Sequence, residues 1–440
     1  ELSNRDLTVE IIALNRRLND NSAKSEEIQL NLNHLLIVMA AALVFIMQAG
    51  FCMVEMGFSQ AKNAINIAMK NILDFSVATT AYLFVGFALM FGHSAGGWFG
   101  QDAFWLSRYP ADSELWSFWL FQSVFVATAA TIASGAMAER TKFLGYLVYT
   151  LLLSAFLYPI FGHWAWGSSA AAFAEDFGGS AGWLEGLGFH DFAGSAVVHG
   201  IGGAAALAGI MILGPRKGRF TRDGTPRLIP GHNIPLASLG TLLLWFGWFG
   251  FNAGSSLTAG ADLGRICVNT SIAASIGVLV AMGTFWKIEG RPDVGIALNG
   301  ALAGLVSITA GADVVTPASA VLIGGIGGIL ASVGFFFLQK CRLDDVVGAV
   351  PVHLFGGVWG TLCVGIFHED LAMFSGVWFK QILVQGLGVI MLVGGAFIAA
   401  YGIFKIIDHT VGLRASDEEQ EEGLDFAEHS SNAYPDFQTH

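Results

Sequence analysis

Long apolar segments constrain the fold of this chain more than any other feature. A helix that crosses a bilayer needs about 20 mostly apolar residues. Hydrophobic residues make up 54% of the chain and charged residues only 13%, a balance that argues against an ordinary soluble domain. The sequence therefore predicts an all-α membrane protein with eleven transmembrane helices, at 34–57, 72–92, 114–138, 143–167, 191–213, 233–253, 266–286, 292–311, 317–339, 346–367 and 379–408.

Lysine and arginine are divided unevenly between the two sets of loops. One set contains Lys62, Lys70 and the basic cluster at 216–227, whereas the alternate loops contain few basic residues. Cytoplasmic loops of membrane proteins carry the excess of positive charge. We therefore expect a multi-pass protein of the cell (plasma or inner) membrane, with its N-terminus outside and its C-terminus in the cytoplasm.

The two ends of the chain differ from the eleven-helix domain at 34–408. Residues 1–33 are polar, and their apolar side chains follow one helical face at Leu7, Ile11, Leu14 and Leu18. We expect an extracytoplasmic amphipathic helix that lies on its own membrane domain, with a short coiled-coil contact between subunits as the alternative. Residues 409–440 are acidic and polar, which is typical of a cytoplasmic regulatory tail.

An aspartate-to-histidine frame occurs twice in the chain. DFAGSAVVHGIGG covers 191–203 in the fifth span, and DVVGAVPVHLFGG covers 345–357 in the tenth. Five spans separate the copies, so they cross the membrane in opposite directions. This pattern predicts an inverted five-helix repeat, of spans 1–5 and 6–10, followed by a long eleventh helix. Since such repeats meet around a midplane site, His199 and His353 should lie together near the bilayer centre.

Paired histidines inside a membrane indicate function. One buried imidazole can serve as a hydrogen-bonded packing residue, but ionisable groups at this depth are costly and usually mark a pathway. Two at matched positions of an inverted repeat favour the second interpretation. Imidazole can donate and accept in turn near neutral pH. Two rings in contact would share a proton and line a pore for a small neutral or proton-exchanging solute.

Three aromatic runs lie near predicted helix ends: FWLFQSVF at 118–125, GHWAWG at 162–167 and WFGWFGFNAGSS at 245–256. One interpretation is a belt of aromatic residues at the membrane interface. The other is a cage that holds a cation against ring faces. Composition leaves both open.

Several motifs in order carry a resemblance to a known family. DFAGSAVVHG, GWFGFNAGS, GAMAER, PVHLFGG and the tail run TVGLRASDEEQEEGLD resemble the ammonium transporter family (Amt/Mep/Rh), on its Amt side, across about 34–435. The resemblance implies a homotrimer of eleven-span subunits, each with its own pore for ammonium or ammonia. It implies no enzyme activity, metal or cofactor and no nucleic-acid partner. It also implies a PII-type signalling protein as a cytoplasmic partner.

The same resemblance implies roles for residues at the outer pore mouth. Phe121, Trp166 and Ser255 match the positions that hold ammonium. Phe125 and Phe251 match a stacked phenylalanine gate beneath them.

Further matches lie along the pore. His199 and His353 match the family's twin histidines, Trp248 matches a lumen-side tryptophan, and Asp191 matches an aspartate beneath the recruitment site. We expect Asp191 to fix its helix start and stabilise the outer cation electrostatically. Some members carry a further aspartate where this chain has Gly348, so its role is not carried over.

The implied mechanism separates the proton from ammonia. A bare cation in an apolar lumen is costly, so ammonium would bind outside, lose a proton near the gate and cross as ammonia past the histidines. If transport is electrogenic, the histidines would relay the proton. One alternative is an ammonium sensor that signals through its tail, which the extension at 1–33 and the closing run AYPDFQTH favour. A neutral-gas channel of the Rh kind is disfavoured by the Trp/Ser cage.

Three charged residues near the spans are not assigned by these motifs. Glu55 in MVEMGF either pairs across a subunit contact or lies near a vestibule. Glu139 and Arg140 lie at a cytoplasmic helix end, where we expect a structural ion pair.

Overall fold

A computed structural model describes residues 4–107, 115–172 and 181–435. Ten helices in these ranges are long and apolar enough to cross a membrane, and Val294–Ile308 is a shorter apolar helix. The all-α membrane fold is confirmed, with helices α1 Asn4–Phe58, α2 Ala61–Phe91, α3 Leu115–Met137, α4 Phe143–Trp166, α5 Ser195–Leu213, α6 Ile234–Gly254, α7 Leu263–Glu289, α8 Val294–Ile308, α9 Pro317–Lys340, α10 Val350–Phe367 and α11 Gly376–Thr410. The predicted start of the third span, residue 114, lies outside the described residues.

Helix α2 begins well before its predicted start at residue 72. The prediction assigned Lys70 to a cytoplasmic loop because of its charge. That assignment is wrong, since Lys70 lies inside α2 and is 2% exposed. Its ammonium group donates to the backbone oxygen of Thr141 at 2.7 Å, so the helix can enclose it.

The N-terminal extension continues the first span. Helix α1 runs unbroken from Asn4 to Phe58, and Ile11, Leu14 and Leu18 are each 57–58% exposed. The expectation that this segment lies on its own membrane domain is therefore wrong. The side chain of Leu7 is outside the described residues.

Helix packing follows the predicted inverted repeat. Helix α1 packs along α6, and α5 packs against α10, so equivalent helices of the two halves meet each other. Within the halves, the contacts of α2 with α4 and of α3 with α5 are matched by those of α7 with α9 and of α8 with α10. Helix α11 packs against α5. The inverted five-helix repeat is confirmed.

The two repeated motifs start their helices in the same unusual way. Ser195–Gly200 and Val350–Phe355 are π-helical turns at the beginnings of α5 and α10. Each follows a glycine in the left-handed region, Gly194 at φ +110° and Gly348 at φ +82°, where other residues would be strained. Such π-helical turns are common at functional sites.

Charged residues interlock in the loop between α3 and α4 and in neighbouring loops. Glu139 does not pair with Arg140 as expected; it forms an ion pair with Arg216 at 2.8 Å. Arg216 also pairs with Asp344 at 2.8 Å, while Arg140 donates to backbone oxygens, including that of Ala136 at 2.9 Å. Glu139 pairs with Arg216 instead of Arg140 because the α5–α6 loop, which contains Arg216, folds back over this end of α3.

The acidic tail docks on this same face through two short helices, α12 at Asp417–Glu422 and α13 at Leu424–His429. Lys62 donates to the backbone oxygens of Gln420 and Glu421 at 2.6 and 2.8 Å. The carboxylate of Asp425 accepts from the backbone N–H of Asn66 at 2.8 Å. The described part of the tail is therefore an ordered element; residues 436–440 lie outside the described residues.

Candidate functional site

A buried stack of phenylalanine rings joins the two halves of the repeat. Phe125 of α3 and Phe251 of α6 are stacked, with ring centroids 4.1 Å apart and planes 13° apart. Phe121 lies one turn away, with its centroid 4.6 Å from that of Phe125. All three rings are at most 1% exposed. The stacking implied by the resemblance is present, while its role as a gate stays a prediction.

The three residues matched to the cation site lie beside this stack. Trp166 is half-buried, its centroid is 6.3 Å from that of Phe125, and its indole N–H donates to the backbone oxygen of Asp191 at 2.7 Å. The hydroxyl of Ser255 donates to the backbone oxygen of Phe251 at 2.8 Å. Because a hydroxyl has one proton and two lone pairs, the Ser255 oxygen can still accept.

The ring of Phe121 lies close to Gly254, the residue that precedes Ser255. A Cβ placed on Gly254 would lie 3.0 Å from the Phe121 ring. The phenyl ring of Phe121 and the backbone next to Ser255 thus lie close together, while a cation cage formed by them with Trp166 stays a prediction.

The two histidines meet beneath the phenylalanine stack, which confirms the prediction from the repeat. Nδ1 of His199 and Nδ1 of His353 are 3.2 Å apart, and the ring planes differ by 24°. Both are buried, at 0% and 4% exposure. A hydrogen bond between two neutral imidazoles needs one Nδ1 that carries a proton and one that does not. The pair therefore holds opposite tautomers.

Aromatic rings set the position of His199. Its imidazole stacks on Trp248, with centroids 4.9 Å apart, and lies 5.4 Å from the Phe251 ring. The indole N–H of Trp248 donates to the hydroxyl of Thr309 at 2.9 Å, which fixes the ring. The second nitrogen of His199, Nε2, is buried without a hydrogen-bond partner among the described residues.

Asp191 fixes the start of α5. Oδ1 accepts from the backbone N–H groups of Gly194 and Ser195 at 3.0 and 2.8 Å. Oδ2 accepts from those of Ala196 and Val197, both at 2.9 Å. One carboxylate thus satisfies the four N–H groups that a helix start leaves without partners. The expected helix-fixing role is confirmed, and the effect on an outer cation stays a prediction.

Asp345 makes the equivalent contacts at the start of α10. Its carboxylate accepts from the N–H groups of Gly348, Ala349 and Val350 at 2.8–3.0 Å. The two aspartates have the same local function at helix starts that face opposite sides of the repeat.

A small cavity of about 20 Å³ borders His353. Its polar lining includes Glu55, Thr131 and Asn299. Sequence reasoning missed Thr131 and Asn299 and left Glu55 open, because residues that meet only in the folded chain share no motif. The available signal was an acidic residue inside an otherwise apolar span. The structure buries Glu55 inside the subunit, at 2% exposure, so it lines this cavity and does not lie at a subunit contact.

A buried column of rings at the junction of an inverted repeat defines a membrane transport protein. Residues 35–434 match the sequence profile of the Ammonium Transporter Family. Ammonium transporter Amt2 of Archaeoglobus fulgidus is 47% identical over 410 residues, which cover 90% of this chain and 86% of that one.

Solved structures agree with the sequence match. A sensor Amt protein is 44% identical, with a TM-score of 0.87 over 92% of this chain and 100% of that one. Mep2 of Candida albicans is 26% identical, with a TM-score of 0.79 over 92% and 93% of the two chains. The chain belongs to the Ammonium Transporter Family.

Proposed function

We propose that this protein transports ammonium across the membrane with no net chemical change of the solute. The observation that carries the proposal is the contact between His199 and His353 beneath the stack of Phe125 on Phe251. Taking a cation into such a buried column costs several kcal/mol, whereas neutral ammonia carries no such penalty. The relatives named ammonium transporters support the choice of solute.

Recruitment takes place at the outer end of the stack. The faces of Trp166 and Phe121 attract a cation by about 0.5–2 kcal/mol, depending on desolvation. The oxygen of Ser255 accepts an N–H bond, which ammonium can offer and potassium cannot. Ammonium then loses a proton near the gate formed by Phe125 and Phe251 and continues as ammonia along the lumen beside Trp248.

The histidine pair relays the proton separately. The unpartnered Nε2 of His199 accepts a proton when the tautomer leaves it bare. His199 then passes the proton on its Nδ1 across 3.2 Å to Nδ1 of His353. His353 releases the proton on its own Nε2. Net transfer of one positive charge follows, although ammonia crosses the lumen in neutral form.

Asp191 supports recruitment electrostatically. Both oxygens of its carboxylate accept backbone N–H bonds, so the group is better suited to hold negative charge than to accept the ammonium proton. Its backbone oxygen holds the Trp166 indole. Asp191 therefore contacts Trp166, and Trp166 in turn contacts the proposed cation.

The functional assembly is a homotrimer held partly by α1. An apolar stripe with alternating steps of three and four residues at Ile11, Leu14 and Leu18 is interrupted at Asn21 and Ser25 and resumes in the same register at Ile28. The members of this stripe that lie nearest to or within the membrane span are 45–60% exposed in the single subunit, at Ile28, Leu32, Leu35 and Met39. Such spacing is that of a helix seam between copies of one chain. Removal of residues 1–27 should weaken the trimer in native mass spectrometry; an equally stable trimer would contradict this contribution.

The N-terminus lies outside and the tail in the cytoplasm, as the distribution of basic residues predicts. A PII-type signalling protein would bind the tail and the loop at 216–227. Lys217 of this loop pairs with Glu421 of the tail at 2.7 Å, and Arg222 and Arg227 remain exposed. A partner would therefore compete with the contact between loop and tail.

Ammonium-evoked current on a solid-supported membrane tests the transport proposal. Proteoliposomes of the full chain should give a saturable current with ammonium and none with equal potassium. Current of equal size with both ions would contradict selective transport.

Ammonium sensing is the second candidate. Its support is the 44% identity with a sensor Amt protein over 92% of this chain, together with the docked tail. Saturable ammonium binding with no current in the same proteoliposomes would favour sensing over transport.

A further inference from the structure

The cavity beside His353 contains a carboxylate that the proposed pathway has not used. Glu55 of α1 lines this space together with His353, Thr131 and Asn299. Phe51, one turn earlier in α1, lies with its ring centroid 6.2 Å from the imidazole of His353. Glu55 and His353 thus border the same space on the pathway that leaves the histidine pair.

One oxygen of Glu55 is held in place and the other is not. Oε2 accepts from the hydroxyl of Ser134 at 2.8 Å and from the amide of Asn71 at 3.2 Å. Oε1 is buried and has no hydrogen-bond partner in the described part of the chain. A buried carboxylate oxygen without a donor is costly. The arrangement therefore leaves room for a donor that arrives from the cavity.

Asp74 shows what a purely structural buried carboxylate looks like in this protein. It is 0% exposed, and its Oδ1 accepts from the hydroxyl of Thr150 at 2.9 Å. Its Oδ2 accepts from the hydroxyls of Thr131 and Tyr146 at 2.6 and 2.9 Å. Both oxygens are satisfied, as in most buried polar groups. Glu55, which lines the cavity, departs from this pattern because its Oε1 has no donor in the described part of the chain.

The nearby cation of α2 does not supply the missing donor. Lys70 directs its ammonium group to the backbone oxygen of Thr141 at 2.7 Å. A small cation with N–H donors would satisfy Oε1 of Glu55 through a charge-assisted hydrogen bond, which is about twice as strong as a neutral one. Ammonium is such a cation, and ammonia reaches this cavity in the proposed pathway.

We propose that Glu55 forms an inner ammonium site, at which ammonia that has passed His353 regains its proton. The inference rests on the proposed transport function. The Glu55 carboxylate binds the proton released from Nε2 of His353. Its O–H bond then breaks as an N–H bond forms on ammonia, which leaves ammonium paired with the carboxylate. Ammonium departs to the cytoplasm, and Glu55 is ready for the next proton.

The test compares Glu55→Gln with Asp74→Asn. Both substitutions remove a buried carboxylate and keep the size of the side chain, but only the first one faces the cavity. In proteoliposomes, Glu55→Gln should raise the half-saturating concentration of ammonium applied to the cytoplasmic side by about tenfold or more, with the outer value unchanged. Asp74→Asn should change neither value per folded molecule. Unchanged cytoplasmic half-saturation in Glu55→Gln would overturn the proposal.

An infrared difference spectrum gives a readout that does not depend on current. Addition of ammonium to the purified full chain should change a carboxyl band that is missing in Glu55→Gln and present in Asp74→Asn. The band should persist when the outer site is disabled by Trp166→Leu with Ser255→Ala. If the native protein carried no current, this band would still support the inner site although transport had failed; its absence in the native protein would overturn the site.

A second variant covers the case in which Glu55→Gln does not fold. Glu55→Asp keeps the charge on a shorter side chain, so the ammonium-dependent band should move to the frequency of an aspartate carboxyl. A band that stays at the original frequency in Glu55→Asp would assign the signal to another acid and would contradict the proposal.

Discussion

Gly203 of α5 lies directly against the backbone of Leu354 in α10: a Cβ placed on Gly203 would come within 2.4 Å of the Leu354 nitrogen. The equivalent glycine of the other half, Gly357, would place a Cβ 2.4 Å from the backbone oxygen of Ser195. The missing side chains let the two helices approach closely. This double contact brings the pore histidines within hydrogen-bond distance.

Gly203→Ala should therefore separate α5 from α10. Backbone atoms cannot yield as a flexible side chain can, and overpacking of this kind costs about 1–3 kcal/mol. We expect a lower unfolding temperature and a strongly reduced ammonium current. Gly402→Ala in α11 is the matched control, since a Cβ there would meet nothing within 4 Å. Equal unfolding temperatures and currents for the two variants would refute the close-approach argument.

Removal of either pore imidazole should interrupt the proton relay. His199→Ala and His353→Ala each leave one Nδ1 without its partner at 3.2 Å. We expect the ammonium-evoked current to fall by about a hundredfold or more, the lower end of what a positioned proton-transfer group contributes. Uptake of labelled methylammonium separates loss of the proton path from loss of all transport. An undiminished, ammonium-selective current would rule out the relay.

Substitution of the aspartates at the two helix starts should distinguish an effect on stability from an effect on ammonium recruitment. Asp191→Asn and Asp345→Asn each replace an acceptor of several N–H bonds by an amide with one acceptor oxygen. Each orphaned buried N–H costs about 1–3 kcal/mol, so both variants should unfold at lower temperature. Only Asp191→Asn should also raise the half-saturating outer ammonium concentration. Equal effects of both variants on that concentration would remove the electrostatic role of Asp191.

The outer cage should determine which cation is bound. Trp166→Leu combined with Ser255→Ala removes a ring face and an acceptor. A loss of about 0.5–2 kcal/mol of cation–π attraction corresponds to about a 2- to 30-fold weaker apparent ammonium affinity. Competition by potassium should increase in the same assay. Selectivity equal to that of the native protein would favour the interfacial-belt interpretation of these aromatics.

Acid should weaken the network of loops around Asp344. Burial favours its neutral form, but Arg140 and Arg216 outweigh burial and hold the pKa of Asp344 below its usual range. Because the folded pKa is lowered, the stabilisation is present above the unfolded pKa of about 3.9. It is lost as pH falls from about 5 toward the folded value.

Asp344→Asn should remove this dependence. Breaking a buried ion pair costs about 3–5 kcal/mol, and Asp344 is 1% exposed. Unfolding temperatures measured from about pH 5 down to about pH 3 should fall for the native protein and change less for the variant. Parallel acid curves would assign the sensitivity to other carboxylates.

Prediction from sequence succeeded where one constraint acts on many residues. Bilayer thickness fixed the spans, and the repeated Asp-to-His frame was enough to bring His199 and His353 together. It failed at Lys70, whose charge suggested a loop while a single backbone acceptor in the α3–α4 loop allowed burial. It also failed for Glu139, because its partner Arg216 lies in a distant loop. Pairings made by the folded backbone leave no local pattern in the sequence.

Because His199 and His353 hold opposite tautomers, the direction in which the pair can next transfer a proton depends on the direction of the last transfer. After one inward proton, His199 carries its hydrogen on Nε2 and His353 on Nδ1, the reverse of the starting arrangement. The pair is then set for a proton travelling outward, and a second inward proton finds the entrance nitrogen occupied. Each cycle therefore requires a reset, by ring rotation or by exchange with water or ammonia. The 3.2 Å contact between the two Nδ1 atoms thus allows one proton to pass for each reset of the tautomers. Proton flow is therefore linked to the arrival of solute.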